Sequence, residues 1–136
     1  MLTRNFITAG HAIFTVESKT GQWYTYRVTH SEGSEQFPPA WFVSVLTGPE
    51  NTSDYTYLGM LDAETGAVKL TRKSRYSEDA LPVKVVRWAL GVLWRNEGLP
   101  EGYKVHHCGR CGRCGRALTV PSSVESGFGP ECVKLV

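Results

Sequence analysis

Residues 12–28 read AIFTVESKTGQWYTYRV, and this pattern predicts a β-hairpin. Both ends of the stretch are rich in β-branched and aromatic residues, which favour strands, and the turn at residues 18–21 contains a glycine. Similar patterns predict three further strands, at residues 41–46, 55–61 and 67–71. The nearly continuous apolar run at 41–46 is expected to be buried on both faces. Short connections between successive strands indicate an antiparallel meander.

One helix is predicted to follow the strands and to cover the sheet. Asp79 is expected to cap it, and Pro82 is tolerated in its first turn. Gly98 and Pro100 are expected to end it after Asn96. One side of this helix is apolar at about 100° per residue and suits the sheet; its residues are Val86, Ala89, Leu90 and Leu93. The opposite side is basic, with Trp88 at its edge; its cations are Lys84, Arg87 and Arg95.

The C-terminal segment differs in composition from the rest of the chain. Residues 1–101 carry 10 Lys+Arg and 11 Asp+Glu, a balance of −1, whereas residues 102–136 carry 5 and 2, a balance of +3. This tail is poor in apolar residues, so it needs a cross-link such as a bound metal ion to fold. We therefore predict an α+β protein with an antiparallel sheet of about five strands and one covering helix at residues 1–101. A zinc-knuckle tail at residues 102–136 is expected to pack on them as one compact unit.

All four cysteines lie in this tail, with the spacing Cys108-x2-Cys111-x2-Cys114-x17-Cys132. A Cys-x-x-Cys turn places two thiolates on one side of a tight loop, where both reach one zinc ion. We predict one structural Zn²⁺ bound by Cys111, Cys114 and Cys132. The residues alone leave the fourth ligand open among three neighbours: Cys108, His107 and His106.

Two rival interpretations of the cysteines are weaker. Bacterial ferredoxins place proline after the last cysteine of an iron–sulfur motif, and Val133 stands there instead. The start of the sequence has no apolar run typical of a secretory signal, so we expect a cytoplasmic location, where disulfides are disfavoured. No apolar stretch is long enough for a membrane span.

No Gly-x-Ser-x-Gly, P-loop or His-Glu-x-x-His motif is present, so we predict neither an enzyme nor a small-molecule substrate.

The tail also resembles a known signature. Residues 107–119 read HCGRCGRCGRALT and residues 127–132 read GFGPEC. This resembles an uncharacterised family of bacteriophage and bacterial proteins whose tails read Cys-Gly-Arg-Cys-Gly-Arg-x-Leu and end in Gly-x-Gly-Pro-x-Cys. A histidine often precedes the cysteine pair in that family, so the resemblance implies His107 as the fourth ligand. Cys108 then departs from the family pattern, which often has another residue at that position. It also implies a phage or mobile-element origin within a bacterial host cell, but no activity.

The predicted function is that of a non-catalytic, zinc-stabilised binding protein whose partner is a nucleic acid or a nucleoprotein complex. Arginine suits phosphates and interfaces, and three arginines follow one another at every third position among the tail cysteines: Arg110, Arg113 and Arg116. The partner surface is predicted to combine them with the basic side of the helix, namely Lys84, Arg87, Trp88 and Arg95. The alternative is a small phage or mobile-element inhibitor that binds and blocks a host protein, such as a defence complex.

The aromatic residues of the strands and a basic run near residue 70 are not assigned to the partner surface. The strand aromatics are interpreted as core residues and not as a base-stacking surface, because strand aromatics are more often buried; they include Trp23, Trp41, Phe42, Tyr55 and Tyr57. The basic run Lys69, Arg72, Lys73 and Arg75 is interpreted as a solvated loop.

Overall fold

A computed structural model describes residues 3–50, 53–107, 109–115, 126–129 and 132–135. The described elements are six strands, two α-helices and a final 3₁₀ helix, and five of the strands follow one another between the two α-helices. In chain order they are α1 (Arg4–Ile7), β1 (His11–Glu17), β2 (Trp23–Ser31), β3 (Ala40–Leu46), β4 (Tyr55–Leu61), β5 (Val68–Lys69), α2 (Leu81–Trp94), β6 (Lys104–His107) and the 3₁₀ helix Cys132–Leu135. None of the helices in the described ranges is long and apolar enough to cross a membrane.

The strands form one antiparallel sheet of six strands in the order β5-β4-β3-β2-β1-β6. The predicted α+β class and the antiparallel meander of β1 to β5 are confirmed. The sixth strand, β6, was not predicted, and it pairs with β1 by placing Val105 opposite Val16. Four residues with two histidines carry too little local pattern to indicate a strand. The strand β6 forms by pairing with the backbone of β1, which would otherwise be an edge strand of the sheet.

The hydrophobic core lies on the face of the sheet that α2 covers. Phe14, Tyr26 and Val45 form a row across three strands of this face, and all three are buried. The prediction that residues 41–46 are buried on both faces is wrong. Val43 and Val45 are buried, but the alternate residues of β3 are only partly buried, because within the described residues the one long helix covers only the opposite face of the sheet.

The limits of α2 also differ from the prediction. The residue at its N-cap position is Ala80, without a side-chain hydrogen bond, and not Asp79. Trp94 is the last helical residue, and Asn96 takes a left-handed conformation with φ of 55°. The backbone N–H of Glu97 then donates to the carbonyl of Val92 at 3.0 Å, which closes a Schellman-type end. Asn96 therefore ends the helix before Gly98 and Pro100 are reached.

The short helix α1 is the second element that was not predicted. Thr3 caps it by accepting a hydrogen bond from the Phe6 N–H at 3.2 Å. Phe6 and Ile7 are 1% and 0% exposed, and both belong to the same core cluster as the sheet and α2. A four-residue helix with two apolar residues has no periodic signal, although its capping threonine is visible in the sequence.

Candidate metal centre

Three of the four cysteines meet in space. The thiol sulfurs of Cys111, Cys114 and Cys132, here called the three-thiol cluster, all lie within 4.8 Å of one another, and all three are free thiols. Sulfurs that share one tetrahedral zinc ion stand about 3.8 Å apart, given Zn–S distances of about 2.3 Å. If the three sulfurs moved closer together by a small amount, they could bind one metal ion such as zinc. The cysteines of a cubane iron–sulfur cluster ligate different iron atoms, so the tight grouping favours one ion.

The cluster is built on a tight turn. The backbone N–H groups of Arg113 and Cys114 point at the Cys111 sulfur, at 3.4 and 3.5 Å. The N–H of Gly115 donates to the Cys111 carbonyl at 2.9 Å and closes the turn. Residues 109–115, here called the cysteine loop, thus hold the Cys111 sulfur among backbone donors, as the spacing predicts for a zinc knuckle.

These donors favour the thiolate form of Cys111. Burial opposes its ionisation, but the backbone N–H groups of Gly129, Cys114 and Arg113 outweigh burial and lower the pKa of Cys111 to about 7. The Arg113 guanidinium, 3.6 Å from the Cys132 sulfur, favours the thiolate and by itself would lower the pKa of Cys132. Burial and the two neighbouring cysteines outweigh that contact, so the pKa of Cys132 is raised. A cation bound between the sulfurs would offset the repulsion between neighbouring thiolates and would favour the ionised form of Cys132, since the thiolate is the metal ligand.

The cluster is fastened to the sheet through Gly112. The carbonyl of Gly112 accepts from the His11 N–H at 2.7 Å, and its own N–H donates to the Gly127 carbonyl at 2.8 Å. Gly112 thereby joins the start of β1 to the segment that precedes Cys132.

Phe6 fills the space between these chain segments. Its ring packs edge-on against Phe128, with centroids 5.8 Å apart, and lies 5.7 Å from the His107 ring. A Cβ atom on Gly112 or Gly127 would sit 2.6 or 2.7 Å from the Phe6 ring, and Gly127 also has a φ of 80°. The three-thiol cluster is therefore packed into the main core through Phe6, a residue that the sequence analysis did not select.

The structure places His107 outside the three-thiol cluster. It lies on β6 opposite Phe14, and its Nδ1 accepts a hydrogen bond from the Gly109 N–H at 2.9 Å. A neutral imidazole that accepts at Nδ1 carries its proton on Nε2. Cys108 lies outside the described residues, so the identity of the fourth ligand stays a prediction.

The arginines of the cysteine loop make contacts within the tail. Arg110 donates to the Gly115 carbonyl at 3.1 Å, and Arg113 reaches the Cys132 sulfur. Both residues remain exposed. Arg116 lies outside the described residues. Arg110 and Arg113 thus combine an internal contact with a solvent-facing charge.

The basic side of α2 is less open than its helical pattern suggests. Arg87 donates to the Val68 carbonyl through Nε and Nη2, at 3.0 and 2.8 Å, and forms an ion pair with Glu78 that lowers the pKa of that carboxyl. The Trp88 ring packs against Tyr103 with centroids 5.2 Å apart. Arg95 pairs with Glu97 at 2.9 Å, and Lys84 is exposed.

The fold and the site together define an α+β protein with a three-cysteine candidate metal centre near its C-terminus. Residues 100–136 match a family of unknown function, DUF6011, so the C-terminal region is similar to that family. No curated protein and no solved structure matches the chain.

The contact between Arg113 and Cys132 yields a testable prediction about metal affinity. We expect Arg113→Ala to weaken zinc binding by about tenfold to a hundredfold, because groups that hydrogen-bond to metal ligands contribute on that scale. Competition with a chromophoric chelator measures the effect. Lys84→Ala removes an equal charge from the exposed side of α2 and should leave zinc affinity unchanged. Equal affinities in the two variants would show that Arg113 does not support the sulfur.

Proposed function

We propose that this chain is a zinc-stabilised, non-catalytic binding protein whose partner is a nucleic acid or a nucleoprotein complex. The observation that carries the proposal is the three-thiol cluster, which is packed into the core beside exposed arginines. Zinc would be held by Cys111, Cys114 and Cys132 with a fourth donor from His107 or Cys108. Bound there, zinc would supply no reaction and would act as a cross-link between the cysteine loop and the 3₁₀ helix.

The surroundings of the cluster support a structural role for the metal. Cys111 and Cys132 are buried within the core cluster, together with Phe6 and Phe128. Structural zinc sites are closed by protein ligands, whereas catalytic sites keep one position open to water. Two thiols buried among core residues, with the exposed Cys114 as the third donor, suit the structural type.

The charge of the tail supports an anionic partner. Residues 102–136 carry a balance of +3 against −1 for the rest of the chain. Within the described residues of the tail, four cations are exposed: Lys104, Arg110, Arg113 and Lys134. Side chains of this kind bind phosphates and set the position of a protein on a nucleic acid.

The fourth ligand can be assigned with two variants. We expect His107→Ala to keep about one zinc per chain and Cys108→Ser to lose it, because Nδ1 of His107 is already engaged by Gly109. Elemental analysis of anaerobically purified protein gives the metal content. The opposite pattern would assign His107, as the resemblance to the phage family implies. Iron in place of zinc would remove the zinc proposal altogether.

The proposed partner predicts a steep dependence on salt. Binding to nucleic acid releases counterions, so the logarithm of the association constant should fall with the logarithm of salt concentration, by about 0.7 to 0.9 per phosphate contact. Arg110→Ala together with Arg113→Ala should weaken binding to all sequences alike, with zinc content checked in the same samples. A shallow slope and a nuclease-resistant host protein partner would instead support the alternative, an inhibitor of a host protein.

A further inference from the structure

The sheet has a second face, which α2 does not cover. Residues opposite one another in an antiparallel pair point to the same face, and successive residues alternate. Phe42 alternates with the buried Val43, so it points away from the core. Phe42 pairs with Met60, and Met60 pairs with Lys69, so these three residues form a row across β3, β4 and β5 on that outer face.

This outer face carries a second set of apolar side chains. They are partly exposed, and none of them belongs to the core cluster or to the residues packed against it. They are Ile13, Phe42, Leu46, Tyr55, Tyr57 and Met60. The sequence interpretation of the strand aromatics as core is therefore wrong for Phe42, Tyr55 and Tyr57, which lie on the outer face. Trp23, at the start of β2, is 59% exposed.

An open depression of about 470 Å³ lies at the β5 end of this face. Phe42 and Tyr57 form an aromatic corner in it, with ring centroids 6.2 Å apart and planes at 62°. Its remaining lining is Met60, Thr71, Arg72 and Lys73. The depression thus combines apolar ring surface with two cationic side chains.

The cations are held beside the aromatic corner by a hydrogen-bonded turn. The Thr71 N–H donates to Ser74 Oγ at 2.8 Å, and the Ser74 N–H donates to the Thr71 carbonyl at 3.0 Å. The hydroxyls of Tyr57 and Thr71 share a hydrogen bond of 3.1 Å, which ties the turn to β4. Arg72 and Lys73 occupy the exposed tip of this turn.

The charge around the depression is of one sign. Residues 69–75 contain four cations and no acid. Within the described part of the chain, neither Arg72 nor Lys73 forms an ion pair. Two exposed cations on an ordered turn beside apolar rings suit a ligand that is both anionic and aromatic.

We propose that this outer face binds single-stranded nucleic acid, with a base on the Phe42–Tyr57 corner and backbone phosphates on Arg72 and Lys73. The inference rests on the proposed nucleic-acid partner and adds a surface to it. An open sheet with aromatic side chains stacks unpaired bases without reading a particular sequence. Bases of a duplex are stacked within the helix, so they cannot reach the two rings. The proposal therefore specifies the single-stranded form.

The test uses fluorescein-labelled oligo(dT) and oligo(U) of about 15 nucleotides, a length within the range that one sheet domain binds. Fluorescence anisotropy of the zinc-loaded full chain should show tighter binding to these strands than to a duplex of equal length. Phe42→Ala should weaken binding by about tenfold or more, because each stacked base contributes on that scale. Arg72→Gln with Lys73→Gln should reduce the salt slope by about 1.4, at about 0.7 for each phosphate contact on a single strand.

Matched control variants distinguish a loss of binding at this surface from a loss of folding stability or of net charge. Arg4→Gln with Lys19→Gln removes the same charge at two exposed positions outside every proposed binding surface, so it should reduce the salt slope by much less than 1.4. Phe37→Ala removes an exposed aromatic ring in the loop between β2 and β3, outside the depression, so it should retain affinity. Thermal unfolding of Phe42→Ala shows whether its fold persists. The Arg72 and Lys73 variant is at the surface, so it tests the proposal even if Phe42→Ala is unstable.

The outcomes distinguish this inference from the proposed function. If the wild-type chain binds neither oligonucleotide at low salt, the nucleic-acid partner itself is wrong. If the wild type binds but only the Arg110 and Arg113 variant loses affinity, the partner stands and the outer face is not its surface. Tighter binding to the duplex than to the single strands would also overturn the inference.

Discussion

Cys111→Ser is expected to abolish zinc binding and to lower the free energy of unfolding by several kcal/mol, because metal-binding free energy at a structural site is folding free energy. Cys111 is fully buried, and its loop is joined to β1 through the His11 and Gly112 hydrogen bond. The loss should therefore extend beyond the tail. Amide exchange should speed up in the described parts of the tail, in α1 and along the β1–β6 edge, while β2 to β4 stay protected.

Chelation provides the control for this variant. A strong chelator should reproduce the exchange pattern in the wild-type chain and should change nothing further in Cys111→Ser. Two results would contradict the expectation. Full protection of α1 and β6 after chelation would mean that the cluster does not support the core, and cooperative unfolding of all strands would mean that the sheet does not stand without zinc.

The second large effect is expected at Phe6. Phe6→Ala should lower the free energy of unfolding by about 3–5 kcal/mol, which is typical of a buried phenylalanine truncated to alanine. Phe6 is 1% exposed and lies between the sheet and the three-thiol cluster. The same variant should therefore also weaken zinc binding, although Phe6 donates no ligand. Chemical denaturation and chelator competition measure the two effects separately.

Phe37→Ala is the matched control, since Phe37 is 68% exposed and should change neither quantity. A double-mutant cycle sharpens the test. Gly112→Ala places a Cβ 2.6 Å from the Phe6 ring, so it should destabilise the wild type more than it destabilises Phe6→Ala. Additive effects would show that Phe6 and the cysteine loop are not coupled, which would contradict the role given to Phe6.

Features with a local signal were predictable from the sequence. The strands β1 to β4 follow from short runs of β-branched and aromatic residues separated by turn residues, because these patterns depend on neighbours along the chain. The grouping of Cys111 with Cys114 follows from the geometry of a Cys-x-x-Cys turn, which is also local. The sequence also predicted Cys132 as a third donor, and its sulfur lies with those of Cys111 and Cys114.

Other features depended on which surfaces meet in space. Arg87 and Trp88 lie on the helix side that the periodicity marks as solvent-facing, yet Arg87 reaches the Val68 carbonyl and Trp88 packs on Tyr103. A periodic pattern shows that a side chain is polar or apolar, but not which distant segment covers it.

The placement of the candidate metal centre and of the outer-face aromatic residues also depends on contacts between distant segments. Phe6 joins the core to the cysteine loop only because Gly112 and Gly127 leave room for its ring. Phe42 and Tyr57 are outward-facing because one helix covers one face of the sheet, and strand alternation alone does not say which face. The sequence by itself determined the strands β1 to β5, the fold class and three cysteines as candidate metal donors, since strand patterns and the Cys-x-x-Cys turn follow from short-range geometry. Only the tertiary structure decided which surfaces are buried, because burial depends on contacts between residues far apart in the chain.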